Sequence, residues 1–115
     1  PDAEVEVLMY EEKAFTGLVY PTEKYYPTWK IPEDSVYLKD AVFAYKNVLN
    51  REPKVDKWTF STNGVAIAGM HGIPCIGLGP GNEVLAHMPN ENSPVEHLSE
   101  CAAVYAGIVY KMNNP

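Results

Sequence analysis

Ile73-Pro74-Cys75-Ile76-Gly77-Leu78 carries no charge and has the length of a strand, and it constrains the fold more than any other segment. A run of this kind is suited to burial on both faces, and strands buried that way sit inside parallel sheets covered by helices. The segments around it agree. From Ser35 to Asn50, Leu38, Ala41, Val42, Tyr45, Val48 and Leu49 recur at three- and four-residue steps, which predicts a helix with one apolar face. Asp34 or Ser35 is placed to cap its start and Asn50 to end it. Val55 to Ser61 predicts a second strand, and Thr62 to His71 a short helix stopped by Gly72. After a long loop, Ser93, Pro94 and Glu96 supply a Ser cap, a first-turn proline and a reciprocal acidic partner. Leu98, Cys101, Ala102, Tyr105, Ile108 and Val109 then predict one apolar helical face. The order helix-strand-helix-strand-loop-helix is that of a partial α/β layer. Two core strands are too few for a free-standing doubly wound sheet, so further strands are expected from elsewhere.

The N-terminal third follows another pattern. Between Ala3 and Leu8, Val5 and Val7 alternate with Glu4 and Glu6, as in a short edge strand. From Met9 to Asp34, Pro21, Pro27 and Pro32 alternate with Tyr20, Tyr25, Tyr26 and Trp29. Proline is excluded from helix interiors and central strands, so this stretch predicts an extended connector lying on something apolar. Residues 1–10, 11–34 and 35–115 are thus expected to be three separate parts. A first residue Pro1 in place of methionine suggests a processed or excised segment.

The formal charge is -6 and Arg51 is the only arginine, with lysines scattered singly from Lys13 to Lys111. Nucleic-acid binding needs clustered cations to replace condensed counterions, so no nucleic-acid partner is expected. No apolar run approaches the roughly 20 residues of a membrane span, and no signal peptide opens the chain. Cys75 and Cys101, in apolar surroundings of sequence, are expected as reduced buried thiols in a cytoplasmic setting.

In open α/β sheets the ligand crevice lies beyond the carboxyl ends of the strands. Ser61-Thr62-Asn63-Gly64 and Gly79-Pro80-Gly81-Asn82 both fall at such ends. Thr62 and Asn63 serve either as a plain helix cap or, with the free N–H groups beside them, as a perch for a carboxylate or oxyanion. Gly77, Gly79 and Gly81 lack the spacing of nucleotide loops and suit a tight turn or a close backbone approach. His87 is either a solvated loop histidine or a metal ligand. Glu91 is able to orient its ring if Met88-Pro89-Asn90 turns back. His71 and His97 are not brought beside it by spacing, so any remaining donors are expected outside this chain.

Several of these motifs together resemble one family. Gly72-Ile73-Pro74 through Gly79-Pro80-Gly81, followed by Ala86-His87-Met88-Pro89-Asn90-Glu91 and a capped last helix, looks like the C-terminal end of the di-zinc aminoacylase and carboxypeptidase hydrolases. Acetylornithine deacetylase and succinyl-diaminopimelate desuccinylase belong to that group. Thr16 to Glu23, Tyr26 to Lys30 and Asp56 to Gly64 are most similar to its selenium-metabolism-linked subgroup. The resemblance implies that residues 1–10 end an inserted dimerisation domain, with Val5 to Leu8 its last strand. It implies that residues 11–34 return to the catalytic domain, and that 35–115 are the C-terminal part of an α/β/α zinc-exopeptidase-like domain. It further implies that His87 ligates one of two zinc ions (cobalt or manganese being alternatives) and that Glu91 orients it. Thr62, Asn63, Gly79 and Gly81 would line the pocket. Many relatives carry Gly-Thr-Asp where this chain has Ser61-Thr62-Asn63, which leaves the substrate open. The family's His-x-Asp pair, bridging aspartate and Glu-Glu with the general base have no match here, since Glu11-Glu12 lies in the connector. No catalytic residue is therefore expected in this segment, which alone would be inactive. The missing N-terminal part of the same polypeptide, a homodimer mate and a small amide substrate are the implied partners.

Two other readings fit the residues. One is a stand-alone module using Gly79 to Asn82 as an anion cradle, stable as a monomer and needing no metal. The other is an interaction domain whose aromatic connector docks a partner. A hydrolase segment, by contrast, should expose apolar surface.

Overall fold

Two helices crossing through small residues hold this structure together. The computed structural model describes residues 2–115. Pro1, the first residue of the expected 1–10 part, lies outside the described residues. Helix α1 spans Val36–Leu49 and helix α2 spans Val95–Asn113. Ala41, Ala44 and Val104 are the buried hydrophobic residues, and all three lie between the helices. Gly107 completes the crossing: a Cβ there would lie 2.9 Å from Val48 Cγ2 and 3.5 Å from Ala44 Cβ. Small side chains at a helix contact let the two axes approach closely, which is what the ridge-and-groove geometry requires.

The expected face of α1 is largely the one that packs, with Leu38, Ala41, Val42, Tyr45 and Leu49 all wholly or partly covered. Asn50 ends the helix in a left-handed turn (φ 51°), its N–H donated to the Lys46 carbonyl at 2.8 Å. Ser35 stands at the N-cap without a side-chain cap bond. Helix α2 departs from expectation twice. Its N-cap is Pro94, so Ser93 lies one residue too early to close the reciprocal cap with Glu96, and no side-chain cap bond forms. Its covered face is Glu100, Cys101, Val104, Gly107, Ile108 and Lys111. Of the expected face, Cys101 and Ile108 are inside, whereas Leu98 (54% exposed), Tyr105 and Val109 (61%) face outward with Ala102. This helix is apolar on two sides, and α1 covers one.

The N-terminal part is a hairpin and not an extended connector throughout. Strand β1 (Met9–Tyr10) pairs antiparallel with β2 (Thr22–Glu23), Met9 opposite Glu23 and Tyr10 opposite Thr22. Lys24 donates to the Leu8 carbonyl at 2.7 Å, and Lys13 bridges Val19. The turn closes through Gly17 N–H to the Ala14 carbonyl (2.8 Å), with Gly17 at φ 82°. The strand expected at Ala3 to Leu8 is thus shifted: pairing begins at Met9, because that is where a partner strand arrives.

Beyond the hairpin the connector does lie on something. A Cβ at Gly64 would fall 2.5 Å from Trp29 Cζ2, and one at Gly69 would fall 2.7 Å from the Pro27 carbonyl oxygen. Both glycines flank or belong to the short helix, which is wound as a π-helix over Val65–Met70 and capped by His71, with Gly72 (φ 65°) just beyond. Trp29 and Pro27 therefore seat themselves where side chains are missing.

The runs Val55 to Ser61 and Ile73 to Leu78 form no ladder among the described residues, so the expected layer is represented by its helices and these two unpaired segments. A strand exists only through its neighbours, and here neither run meets one. The consequence is measurable. The radius of gyration is 18.4 Å, where a compact chain of this length has about 13 Å. The accessible surface is 9519 Å², where a self-contained monomer of this mass exposes about 6,300 Å². Much of the excess is apolar, including Tyr20, Tyr26, Ile73, Val95 and Tyr110. No helix among the described residues is long and apolar enough to cross a membrane.

Candidate functional site

The loop from Gly79 to Glu91 is shaped by its own backbone. Gly81 enters at φ 102°, a conformation that favours glycine, and donates its N–H to Nδ1 of His97 at 3.3 Å. Asn82 Oδ1 then accepts from Val84 N–H (3.1 Å) and caps a single 3₁₀ turn, Glu83–Leu85. His87 and Asn90 both take the left-handed conformation, at φ 62° and 65°. Histidine and asparagine are among the few non-glycine residues that do so readily. Met88-Pro89-Asn90 turns back, closed by Glu91 N–H to the Met88 carbonyl at 3.1 Å. The Glu91 carboxylate returns to His87, where its Oε2 accepts the backbone N–H at 3.2 Å. It thereby holds the peptide of His87 rather than the imidazole.

Three further ties fix this loop, made by residues to which the sequence assigned no such role. Glu83 Oε1 accepts both the N–H (2.8 Å) and the hydroxyl (2.9 Å) of Thr59. Tyr105, from α2, donates its hydroxyl to the Leu78 carbonyl at 2.6 Å. Phe60 meets the His87 ring edge to face, centroids 6.1 Å apart. The alternation of Trp58 and Phe60 along the expected strand was the one available signal, since it puts both rings on one side. Burial, and then the nearby Cys101, push the Tyr105 hydroxyl above its ordinary range. Tyr105→Phe in the full-length polypeptide is expected to lower stability by about 1 kcal/mol, the net worth of one such bond. The urea midpoint checks it.

Thr62 and Asn63 stand at the start of the π-helix. Thr62 Oγ1 accepts from Gly64 N–H at 3.1 Å, a capping role, and the Asn63 carbonyl accepts from Ala66 and Ile67 at 3.0 and 3.1 Å. The Asn63 side chain is exposed and makes no hydrogen bond among the described residues. Gly79 faces open space, with nothing within 4 Å of where a Cβ would be, so a ligand is able to approach its backbone. Gly79 and Gly81 come together on a cavity of about 160 Å³ beside His97, Arg51, Glu100 and Cys101. Arg51 pairs there with Glu100 and donates Nε–H to the Tyr45 hydroxyl at 3.0 Å. Those hydrogen bonds, Tyr45's first, hold it still more firmly as a guanidinium. Burial raises the Cys101 thiol, so the wall carries a cancelled ion pair and neutral groups. The structure thus joins Glu91 to His87 and Gly79 to Gly81. No hydrogen bond links either pair to Thr62 or Asn63 among the described residues.

The His87 imidazole is exposed, and neither ring nitrogen has a hydrogen-bond partner among the described residues. It is available as one nitrogen donor. No group of three or more His, Cys, Asp or Glu side chains able to hold a metal occurs among the described residues. Catalytic zinc takes three protein ligands and an open position. His87 would fit as one member of such a set, and no group that would complete it occurs among the described residues.

Comparison with known proteins adds an independent finding. Residues 17–111 match the family model of peptidase family M20/M25/M40. The uncharacterized protein YgeY of Escherichia coli K12 is 55% identical over 107 residues, which cover 93% of this chain and 27% of YgeY. YgeY of Escherichia coli O157:H7 gives the same figures, 55% over 107 residues. The chain therefore spans 27% of the length of the curated relatives it matches. No solved structure matches it.

Proposed function

This chain belongs to peptidase family M20/M25/M40, and from that premise we propose that it is the C-terminal part of a metal-dependent hydrolase cutting the amide bond of a peptide or an N-acyl amino acid. The observation that carries this reading is the free imidazole of His87, exposed on a loop whose backbone is fixed on both sides. In this reading His87 gives one nitrogen to a divalent ion, one of two zinc ions with cobalt or manganese as alternatives. Its Glu91 neighbour holds the peptide that aims it. When bound, the metal supplies Lewis-acid polarisation of the scissile carbonyl and a nucleophile at neutral pH. Asn63 offers an uncommitted amide to a substrate carbonyl or carboxylate, Thr62 keeps a hydroxyl proton to donate, and Gly79 and Gly81 shape the pocket wall. The general base and the remaining metal donors belong to the rest of the same polypeptide, which functions as a cytoplasmic homodimer. That polypeptide also covers the apolar faces left open on α2 and the hairpin. On the Thr16 to Glu23, Tyr26 to Lys30 and Asp56 to Gly64 motifs we place the protein nearest the selenium-metabolism-linked subgroup.

An anion cradle at Gly79 to Asn82 is less well supported, because one of its donors is already used: the Gly81 N–H is bonded to His97. The connector's Trp29 and Pro27 are likewise occupied, by Gly64 and Gly69.

The full-length polypeptide, purified without chelator, is expected to carry divalent metal and to hydrolyse members of a panel of dipeptides and N-acyl amino acids. Stripping with a chelator should abolish turnover, and added zinc should restore it. Equal rates in the stripped and loaded protein would overturn the reading.

A further inference from the structure

A metal-binding imidazole is ordinarily held in one rotation by a hydrogen bond from its second nitrogen. His87 has no such partner among the described residues; what it has is an aromatic neighbour. The Phe60 and His87 rings lie 6.1 Å apart at 82°. Phe60 is in turn stacked on Trp58, centroids 5.9 Å apart at 18°. Trp58 lies flat over Gly77, where any Cβ would fall 2.3 Å from its Cη2. Only glycine leaves room for that ring. Between the two aromatic residues, Thr59 is clamped by Glu83, from the loop that carries His87. The clamp ties the loop to the residue between the two aromatic side chains, beside the Phe60–His87 contact.

We propose that Phe60, backed by Trp58 and Gly77 and spaced by the Thr59–Glu83 clamp, is a positioning residue that fixes the ring orientation of His87 toward its metal. The inference rests on the reading of His87 as a metal donor. Edge-to-face contact is directional because the ring face is negative and the ring edge positive. An aliphatic side chain of similar size fills the space without that preference. Phe60 carries no metal-donor atom, and its role here runs through His87.

The test uses the full-length polypeptide loaded with Co²⁺, whose visible absorption reports ligand geometry. Affinity is read by competition with a chelating dye and folding by thermal denaturation. Phe60→Leu is expected to weaken Co²⁺ binding about ten-fold, in the range for outer partners of a metal ligand, and to shift the visible bands while thermal denaturation changes little. Phe60→Tyr, which keeps the ring, should restore both affinity and spectrum. Glu83→Ala releases the clamp without touching the aromatic pair and should move both readings the same way, so the question stays answerable if Phe60→Leu does not fold. The proposal is overturned if Phe60→Leu or Glu83→Ala binds Co²⁺ as the parent does while His87→Ala loses it. It is equally overturned if Phe60→Tyr is as impaired as Phe60→Leu. Should His87→Ala itself keep full Co²⁺ binding, the metal-donor reading falls, and this inference with it.

Discussion

His87→Asn in the full-length polypeptide is expected to remove about one equivalent of bound metal, one ligand of three being lost, and to lower kcat/KM by more than ~100-fold. The magnitude follows from a comparison. Losing an outer partner of a metal-binding histidine costs roughly 10–100-fold in affinity or activity, and losing the donor itself must cost more. Asparagine is the informative replacement because His87 sits at φ 62°. Asparagine adopts that left-handed backbone readily, whereas alanine there adds about 1–2 kcal/mol of strain. The side chain is exposed, and its backbone tie to Glu91 survives the change. With metal stripped from both parent and variant, unfolding should therefore shift by no more than ~0.5 kcal/mol, as for ordinary surface substitutions. Metal analysis, kcat/KM and a urea titration on one preparation separate a lost ligand from a lost fold. Full metal occupancy with unchanged turnover would end the metal-donor reading.

How far the sequence disclosed this arrangement depended on whether each signal was local. Helix α1 was legible because its apolar spacing, its left-handed Asn50 and its length all lie within one stretch of chain. The turning back of Met88-Pro89-Asn90 stood in the sequence only as a condition for Glu91 to reach His87, and the structure meets it. The hairpin was missed. Its ladder is only two residues long on each side, and the single clear turn signal, Gly17, was outweighed by Pro21 beside β2. The seats of Trp29 on Gly64 and Trp58 on Gly77 join residues far apart in sequence, and no periodicity reports such a contact. The glycines themselves were misassigned in part. Gly81 is the turn residue expected of the Gly77 to Gly81 run, while Gly77 is there to make room for an indole. His87 was singled out by its motif, whereas Glu83 and His97, which tie its loop, stand in no motif, and Phe60 stood in the Asp56 to Gly64 motif with no role assigned to it. Side chains that act by holding a neighbour are visible only once the neighbour is.

Helix α2 poses the same problem in a form that stability measurements resolve. Its pattern offers two apolar faces, and periodicity alone selected the one centred on Tyr105, which α1 does not cover. The face that packs runs through Val104, only 1% exposed, with Gly107 one turn on. Val104→Asp in the full-length polypeptide is expected to lower stability by roughly 3–5 kcal/mol, the range for a buried charge left without a partner. No cation stands ready to pair with it: Lys111 is turned to Asp40, and Arg51 to Glu100. Burial would raise the folded-state pKa of that carboxyl, so the loss should shrink as pH falls from neutrality toward the ordinary aspartate range and shrink no further below it. Val104→Ala, which removes only apolar volume, should cost less and show no such pH dependence. Urea unfolding at two pH values measures both. If Val104→Asp were tolerated, the two helices would not meet where Ala41, Ala44 and Gly107 let them meet. The loop that Tyr105 ties to α2 would then lose the support on which the placement of His87 depends.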